Sequence, residues 1–332
     1  MPGPNLLRRT STAAGSRSFF FCYVSLFALT LQNTALVLLM KRSMNTGRRQ
    51  YSAAAAVTVS EMLKLAFCAC VALRTEGREP LARAFAQLPT QIHMTLPSIL
   101  YILQNNLLFQ AVHKLPVGVY IVCAQTKILT SAFFSYVLLG TLLDSRKKLS
   151  LVLLTFGMVL VQAPASTGSS EILTGSTSDA AVGILSILAA SLTSGFAGVY
   201  LEKIYKSDSN GCSALLKNMQ LACFSVPLSF LVTIVTRNEM MHKDGIFIGF
   251  DAFVAAVCFL QAAGGIIVAA VMRHASTIMK CFAISISICL CTAVSFVQGD
   301  ESLTWYKSCG IAMVNFATVY YSTGGKTKSA TG

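Results

Sequence analysis

The sequence predicts an all-α membrane protein, with ten transmembrane helices as two inverted five-helix repeats. Three observations carry that expectation. The chain is strongly apolar, with 54% hydrophobic and only 12% charged residues and a mean hydropathy of +0.64, whereas soluble domains carry about 25% charge. Apolar runs close to the ~20 residues that cross a bilayer recur ten times. Finally, a Ser-, Thr- and Gly-rich stretch near 163–179 divides the chain almost at its middle, leaving five runs on each side. An odd number of spans per half turns the second half over in the membrane, and inverted repeats around a midplane site are a recurring transporter design.

The ten runs lie at about 18–40, 51–73, 94–112, 117–140, 149–164, 180–201, 213–236, 247–272, 275–298 and 303–322. The first is too long for a signal peptide's apolar core and has no evident cleavage site after it, so it reads as an uncleaved helix. The expected layout is an N-terminal tail (1–17), a first repeat (18–164), a linker (165–179), a second repeat (180–322) and a C-terminal tail (323–332). In this layout 15 of the 26 Lys and Arg lie on the side of the termini, 8 on the other, and Lys64, Lys127 and Lys280 in the membrane. The positive-inside rule then places both termini in the cytosol, together with Arg146, Lys147 and Lys148. Lys41, Arg42, Arg48 and Arg49 run against that trend. The formal charge of +13 is spread over short loops with no basic stripe interleaved with aromatics, which excludes a nucleic-acid binder.

Polar residues inside such runs are costly and therefore informative. A lysine near the bilayer centre costs roughly 2.5–3.5 kcal/mol on insertion scales. Lys127 and Lys280 sit in the first halves of the fourth and ninth runs, which correspond in order across the two halves. At helical spacing Tyr120, Ala124, Lys127 and Ser131 form one stripe, and Ser276, Lys280, Ala283 and Ser287 another. Both stripes suit a wet, anion-accepting cavity; snorkelling to the nearer interface is the plainer alternative. In the third run Tyr101 and Asn105 share a face, beside Gln104 and Asn106. Tyr offers a stacking surface and the amide both donors and acceptors, as a pyrimidine edge requires, although helix–helix hydrogen bonding explains the amides equally well. Glu61 and Lys64, three apart in the second run, read as a gating or structural ion pair.

Enzyme chemistry has little support. The four histidines (His93, His113, His242 and His274) stand near loops without metal-ligand spacing, and neither a phosphate loop nor a nucleophile elbow is present. Asp300 and Glu301 form a lone acidic pair in a short loop. The eleven cysteines fall mostly inside the apolar runs as small buried hydrophobes, with no metal spacing. Neither a metal nor a cofactor is expected.

Ordered segments along the chain carry a resemblance: Ser60-Glu61-Met62-Leu63-Lys64-Leu65; Leu96-Pro97-Ser98 with Gln104-Asn105-Asn106; Gln125-Thr126-Lys127; Gly195 to Lys203; Asn218-Met219-Gln220; and Ile278-Met279-Lys280 after Gly264-Gly265. Together they resemble the nucleotide-sugar transporters of the drug/metabolite transporter superfamily, in the group carrying CMP-sialic acid, UDP-galactose and UDP-N-acetylglucosamine. The resemblance implies a Golgi membrane protein exchanging a cytosolic nucleotide sugar for a lumenal nucleoside monophosphate. The expected cargo is UDP-galactose and/or UDP-N-acetylglucosamine against UMP. A CMP-sialic acid/CMP antiporter is the alternative, and a polytopic glycosyltransferase the reading from another class. At matching positions Lys127 and Lys280 would contact the phosphates, Tyr120 and Ser131 would line the site, Tyr101 and Asn105 would address the base, and Asn218 the nucleotide. Ala124, Ala222, Ser276, Thr277 and Cys281 depart from the family's usual residues and bear on sugar and base preference. Nucleotide sugar and nucleoside monophosphate are the expected ligands and membrane lipid the surroundings, with a homodimer left open. Lys326 and Lys328 lack dilysine spacing, which favours the Golgi over the endoplasmic reticulum.

Overall fold

In lipid every backbone N–H and C=O must find its partner within the segment, so apolar runs of bilayer length become helices. In the computed structural model each of the ten runs falls on helix. The structure describes residues 4–43, 51–163, 177–207, 213–235, 249–299, 304–324 and 328–329, together with Gly245. Most of the linker, Arg48 and Arg49, His242, the Asp300-Glu301 pair and Lys326 lie outside the described residues.

The described helices are α1 (Pro4–Ser43), α2 (Ala53–Thr75), α3 (Arg78–Ala86), α4 (Thr95–Lys114), α5 (Val117–Ala124), α6 (Thr126–Leu139) and α7 (Ser145–Gln162). They continue with α8 (Thr177–Lys206), α9 (Ala214–Val235), α10 (Ala252–His274), α11 (Thr277–Val297) and α12 (Trp305–Thr323). Among the described residues seven segments, in α1, α2, the α5–α6 pair, α8, α9, α10 and α11, are long and apolar enough to cross a membrane. The chain is an all-helical, multi-pass membrane protein. Two short strands, β1 (Thr141–Leu142) and β2 (Lys328–Ser329), pair antiparallel and bring the C-terminal residues back to the α6–α7 turn.

Three details differ from the sequence reading. Helix α1 begins at Pro4 and runs through most of the stretch expected as a tail. The segment between the second and third apolar runs turns at Gly77 (φ +91°) into α3 and then a 3-10 segment, Leu88–Met94, rather than leading directly into the next span. Helix α3 is held from outside: Gln220 Nε2 donates to the Ala84 carbonyl at 3.0 Å. The fourth run is two helices meeting at Gln125. There the Gln125 N–H bonds Val122 O (3.2 Å) and the Ile128 N–H bonds Gln125 O (3.0 Å), a 3-10 tightening one residue wide. The Gln125 side chain is buried, and its Oε1 has no hydrogen-bond partner.

Small residues set the closest helix crossings, as expected where lipid competes for apolar contact. Gly157 of α7 and Gly310 of α12 face each other, and a Cβ on either would lie 2.9 Å or less from the partner helix. A buried core of Ile128, Leu154, Met158, Ile278, Phe282 and Val314 joins α6, α7, α11 and α12.

Candidate functional site

The two lysines of the opening stripes stand on helices that pack together. Ile128, next to Lys127 on α6, shares a core cluster with Ile278 and Phe282, which bracket Lys280 on α11. Helix α8 lies against both. Thr130 Oγ1 donates to the Ser191 carbonyl at 2.8 Å. One turn on, Gly195 sits so close to α6 that a Cβ would be 2.6 Å from Thr130 Oγ1 and 2.9 Å from Ser131 N. Gly198, three residues further along α8, receives α11 instead: its Cβ would lie 3.0 Å from Thr277 Cγ2 and 3.8 Å from Lys280 Nζ. Two glycines on one helical face therefore admit the two lysine helices.

The charges around this centre are unequally matched. Lys64 is buried and pairs with Glu61 at 2.5 Å. Lys206 pairs with Glu202, also at 2.5 Å. Lys127, exposed on α6, and Lys280, half-buried on α11, have no carboxylate partner among the described residues. Glu202, though one turn from Gly198 and 1% exposed, is committed elsewhere. Its Oε2 accepts from the Thr277 N–H (2.7 Å) and the Thr277 hydroxyl (2.7 Å), capping the first turn of α11. Ser276, the N-cap residue, accepts from the Met279 N–H at 3.2 Å. Both cap positions were set aside from the sequence as departures affecting specificity; here they begin the Lys280 helix. Sequence reasoning missed Glu202, and only its position as a carboxylate at the end of an apolar run, four residues before Lys206, hinted at it.

The remaining expected residues divide. Ser131 is buried, and its hydroxyl donates to the Lys127 carbonyl at 2.7 Å, one turn back on its own helix. Ser287, on the Lys280 stripe, accepts from Asn33 Nδ2 at 2.9 Å and lies 3.1 Å from Thr34 Oγ1, which ties α11 to α1. Asn218 is buried on α9; it accepts from Tyr205 Oη (3.1 Å) and donates to Cys68 Sγ (3.7 Å), linking α8, α9 and α2. Tyr101 is partly exposed on α4, and Tyr120 packs against the Ala111–Leu115–Ile187 cluster. The side chain of Asn105 lies outside the described residues.

The glycine pair of α10 serves two other helices. Gln32 of α1 lies over Gly264, donating to the Leu260 carbonyl at 2.9 Å, and the Lys64 stem lies over Gly265. A Cβ at Gly265 would stand 2.8 Å from Lys64 Cδ, so the Glu61–Lys64 pair can sit between α2 and α10 only because residue 265 has no side chain.

Comparison with known proteins places this architecture. The family model described as nucleotide-sugar transporter matches residues 17–322. A UDP-N-acetylglucosamine/UDP-N-acetylgalactosamine transporter of Caenorhabditis elegans is 38% identical, with 90% of this chain and 92% of that protein aligned. The UDP-N-acetylglucosamine transporter of Homo sapiens is 37% identical over 82% and 86% of the two chains. The UDP-galactose translocator of Mus musculus is 34% identical over 90% and 78%. A crystal structure only 14% identical shares the fold, with a TM-score of 0.65 over 91% of this chain and 96% of that one. These relatives are transporters rather than enzymes, and the chain belongs to the nucleotide-sugar transporter family.

Proposed function

We propose that this chain exchanges a cytosolic UDP-sugar, UDP-galactose and/or UDP-N-acetylglucosamine, for lumenal UMP across the Golgi membrane by alternating access. The observation that carries this reading is the contrast among the lysines of the membrane-spanning helices. Lys64 and Lys206 have carboxylate partners, whereas Lys127 and Lys280, on two helices sharing one core, have none among the described residues. Two unmatched ammonium groups on neighbouring membrane-spanning helices favour an anion between them. A phosphate or diphosphate ester supplies that charge, and the names of the relatives point to UDP-sugars.

Ten spans in two inverted halves, divided by the 165–179 linker, are part of the proposal, and the packing supports them. Counting the α5–α6 pair as one span, α2 packs on its counterpart α9, α6 on α11 and α7 on α12. Three further contacts exchange under the same correspondence: α1–α10 is matched by α4–α8, α1–α11 by α6–α8, and α2–α10 by α4–α9. A pseudo-two-fold axis in the membrane plane produces that pattern. In this orientation both termini are cytosolic.

Obligatory exchange then has a physical origin. The empty carrier must bring two like charges into a closed, dry centre, while the loaded carrier closes around a neutralised one. Only the loaded form switches readily. Tyr101, Asn105, Tyr120, Ser131 and Asn218 complete the proposed site around the base and sugar, and copies of the chain pair as a homodimer only if the lipid-facing helices provide an interface. The experiment is counterflow into proteoliposomes preloaded with UMP or CMP, offered UDP-galactose, UDP-N-acetylglucosamine, UDP-N-acetylgalactosamine and CMP-sialic acid. Uptake of a UDP-sugar driven by UMP alone is the expected result. Uptake driven by CMP alone would overturn the assignment.

A further inference from the structure

The membrane-crossing segment that carries Lys127 is divided at Gln125, and its two parts belong to different packing units. Val119, Tyr120, Cys123 and Ala124 of α5 pack on the Ala111–Leu115–Ile187 cluster, against α4 and α8. Ile128 and Ala132 of α6 enter the other core, with α7, α11 and α12. The Thr130–Ser191 hydrogen bond and the close approach of Gly195 also fasten α6 to α8. Breaks in a helix usually trace to proline, to glycine or to a group inserted into the hydrogen-bond ladder. Cys123-Ala124-Gln125-Thr126-Lys127 holds neither glycine nor proline, so the same residues are free to form one continuous helix. In the second half α11 is unbroken from Thr277 to Val297, and the buried, apolar Ile278 stands two residues before Lys280, as Gln125 does before Lys127.

Gln125 itself is the anomaly at this junction. Its side chain is 3% exposed, yet Oε1 has no hydrogen-bond partner among the described residues. A buried amide oxygen left unpaired costs free energy that an apolar side chain of similar size avoids. Gln125 stands about 200° around the helix from Lys127, on the face of Ile128 and Ala132, so it is not itself a contact of the central site. The expected site residues straddle it: Tyr120 lies on α5, Lys127 and Ser131 on α6. A residue in 3-10 geometry turns about 20° further, and rises about 0.5 Å more, than one in an α-helix. A change between the two geometries at this junction therefore turns Tyr120 relative to Lys127.

We propose that Gln125 is a positioning residue for the central site. It acts through Lys127, at a hinge that passes between the 3-10 form and a continuous α-helix as the carrier switches faces. Its amide oxygen, unpaired in the 3-10 form, takes a hydrogen bond in the continuous one. The cost borne in the first form keeps the two close in free energy, so that a ligand with a modest preference shifts them. The device belongs to the first repeat alone, since α11 is unbroken. It rests on the exchange reading above, because Lys127 must belong to the transport site for its placement to matter.

The test is Gln125→Met in the full chain, which keeps the side-chain volume and removes the unpaired acceptor. The melting temperature should rise by roughly 2 °C or more. Maximal counterflow exchange should fall about tenfold, while the nucleotide concentration giving half-maximal exchange does not rise, a split that a merely damaged site would not produce. Gln125→Asn, which keeps an amide oxygen, should retain more exchange than Gln125→Met. Hydrogen–deuterium exchange of the wild-type protein supplies a second readout. Saturating UMP, or CMP if CMP drives exchange, should change the amides of 122–128 more than those of 277–283 in α11, and Gln125→Met should suppress that response. A Gln125→Met protein that melts lower, or that exchanges at the wild-type rate, overturns the proposal. So does a wild-type 122–128 segment indifferent to nucleotide, and that measurement decides alone should Gln125→Met not fold. Failure of both UMP and CMP to drive exchange in the wild-type protein overturns the transport reading and the positioning role with it, whereas normal exchange in Gln125→Met overturns the positioning role alone.

Discussion

Glu202 holds the first turn of the Lys280 helix through Thr277, accepting from its backbone N–H and its hydroxyl at 2.7 Å each. The carboxylate is almost wholly buried and also pairs with Lys206. The bond joins the end of α8 to the start of α11, so it sets where Lys280 emerges relative to Gly198. Glu202→Ala strands a helix-initial N–H and Lys206 together. Loss of an N-terminal cap alone costs about 0.5–2 kcal/mol, and an unpaired buried donor adds about 1–3 kcal/mol. We expect a clear fall in the melting temperature of purified protein for Glu202→Ala and a smaller one for Glu202→Gln, whose amide oxygen still accepts from Thr277. Equal melting of Glu202→Ala and wild type would remove the capping role.

Lys127→Ala and Lys280→Ala should each abolish most exchange while leaving a folded protein. A hydrogen bond to a charged group contributes about 1.5–3 kcal/mol, so the apparent affinity for UDP-sugar and UMP should fall roughly 10- to 150-fold. Neither lysine has a carboxylate partner to strand among the described residues, so stability should change little or rise. Counterflow in proteoliposomes, with monodispersity as the folding control, is the measurement. Normal exchange rates in both variants would end the phosphate-contact assignment.

Gly195 and Gly198 make opposite predictions one turn apart. A Cβ at 195 meets α6 backbone, at 2.8 Å from Thr130 C and 2.9 Å from Ser131 N, which cannot rotate away. Gly195→Ala should therefore push α6 from α8 and cost about 1–3 kcal/mol. A Cβ at 198 meets only the Thr277 methyl at 3.0 Å and the Lys280 ammonium at 3.8 Å. Gly198→Ala should leave melting near wild type and lower exchange, since it intrudes on the space beside Lys280. A melting loss as large at 198 as at 195 would contradict the distinction.

Helix positions were legible in the sequence because each bilayer-crossing segment must satisfy its backbone alone, so local composition determines it. Lys127 and Lys280 stand out in the sequence as candidates because a charge within an apolar run is costly and rare. Glu202 does not: its partner Thr277 lies 75 residues away, and a Glu four residues before Lys206 reads as an ordinary helix-end pair. Helix α3 was hidden for the same reason, since the Gln220 bond to Ala84 spans 136 positions. Ser131 and Ser287 share stripes with the lysines, yet their hydroxyls serve a helix backbone and a neighbouring helix. Spacing identifies a face, but tertiary contacts decide what each polar atom on it does.

The Glu61–Lys64 pair permits the sharpest test of gating against structure. Lys64 is 5% exposed, its stem held against Gly265, and its ammonium 2.5 Å from Glu61. Removing one member of a buried pair leaves an uncompensated charge and costs about 3–5 kcal/mol, whereas replacing both with apolar or neutral groups of similar volume is often neutral. Lys64→Met and Glu61→Gln should each lower the melting temperature, Lys64→Met less than its lost contacts suggest because Glu61 keeps partial access to solvent. The double variant should regain most of the loss, giving a coupling energy in a double-mutant cycle well above the ~0.5 kcal/mol expected of independent sites. Exchange then separates the two roles. A double variant with wild-type melting and wild-type exchange marks the pair as structural. One that melts normally but exchanges slowly shows that the charges are needed while α2 and α10 move past each other. The tight fit of the Lys64 stem on Gly265 favours the structural outcome, and Gly265→Ala, which closes that slot, should reproduce the Lys64→Met melting loss.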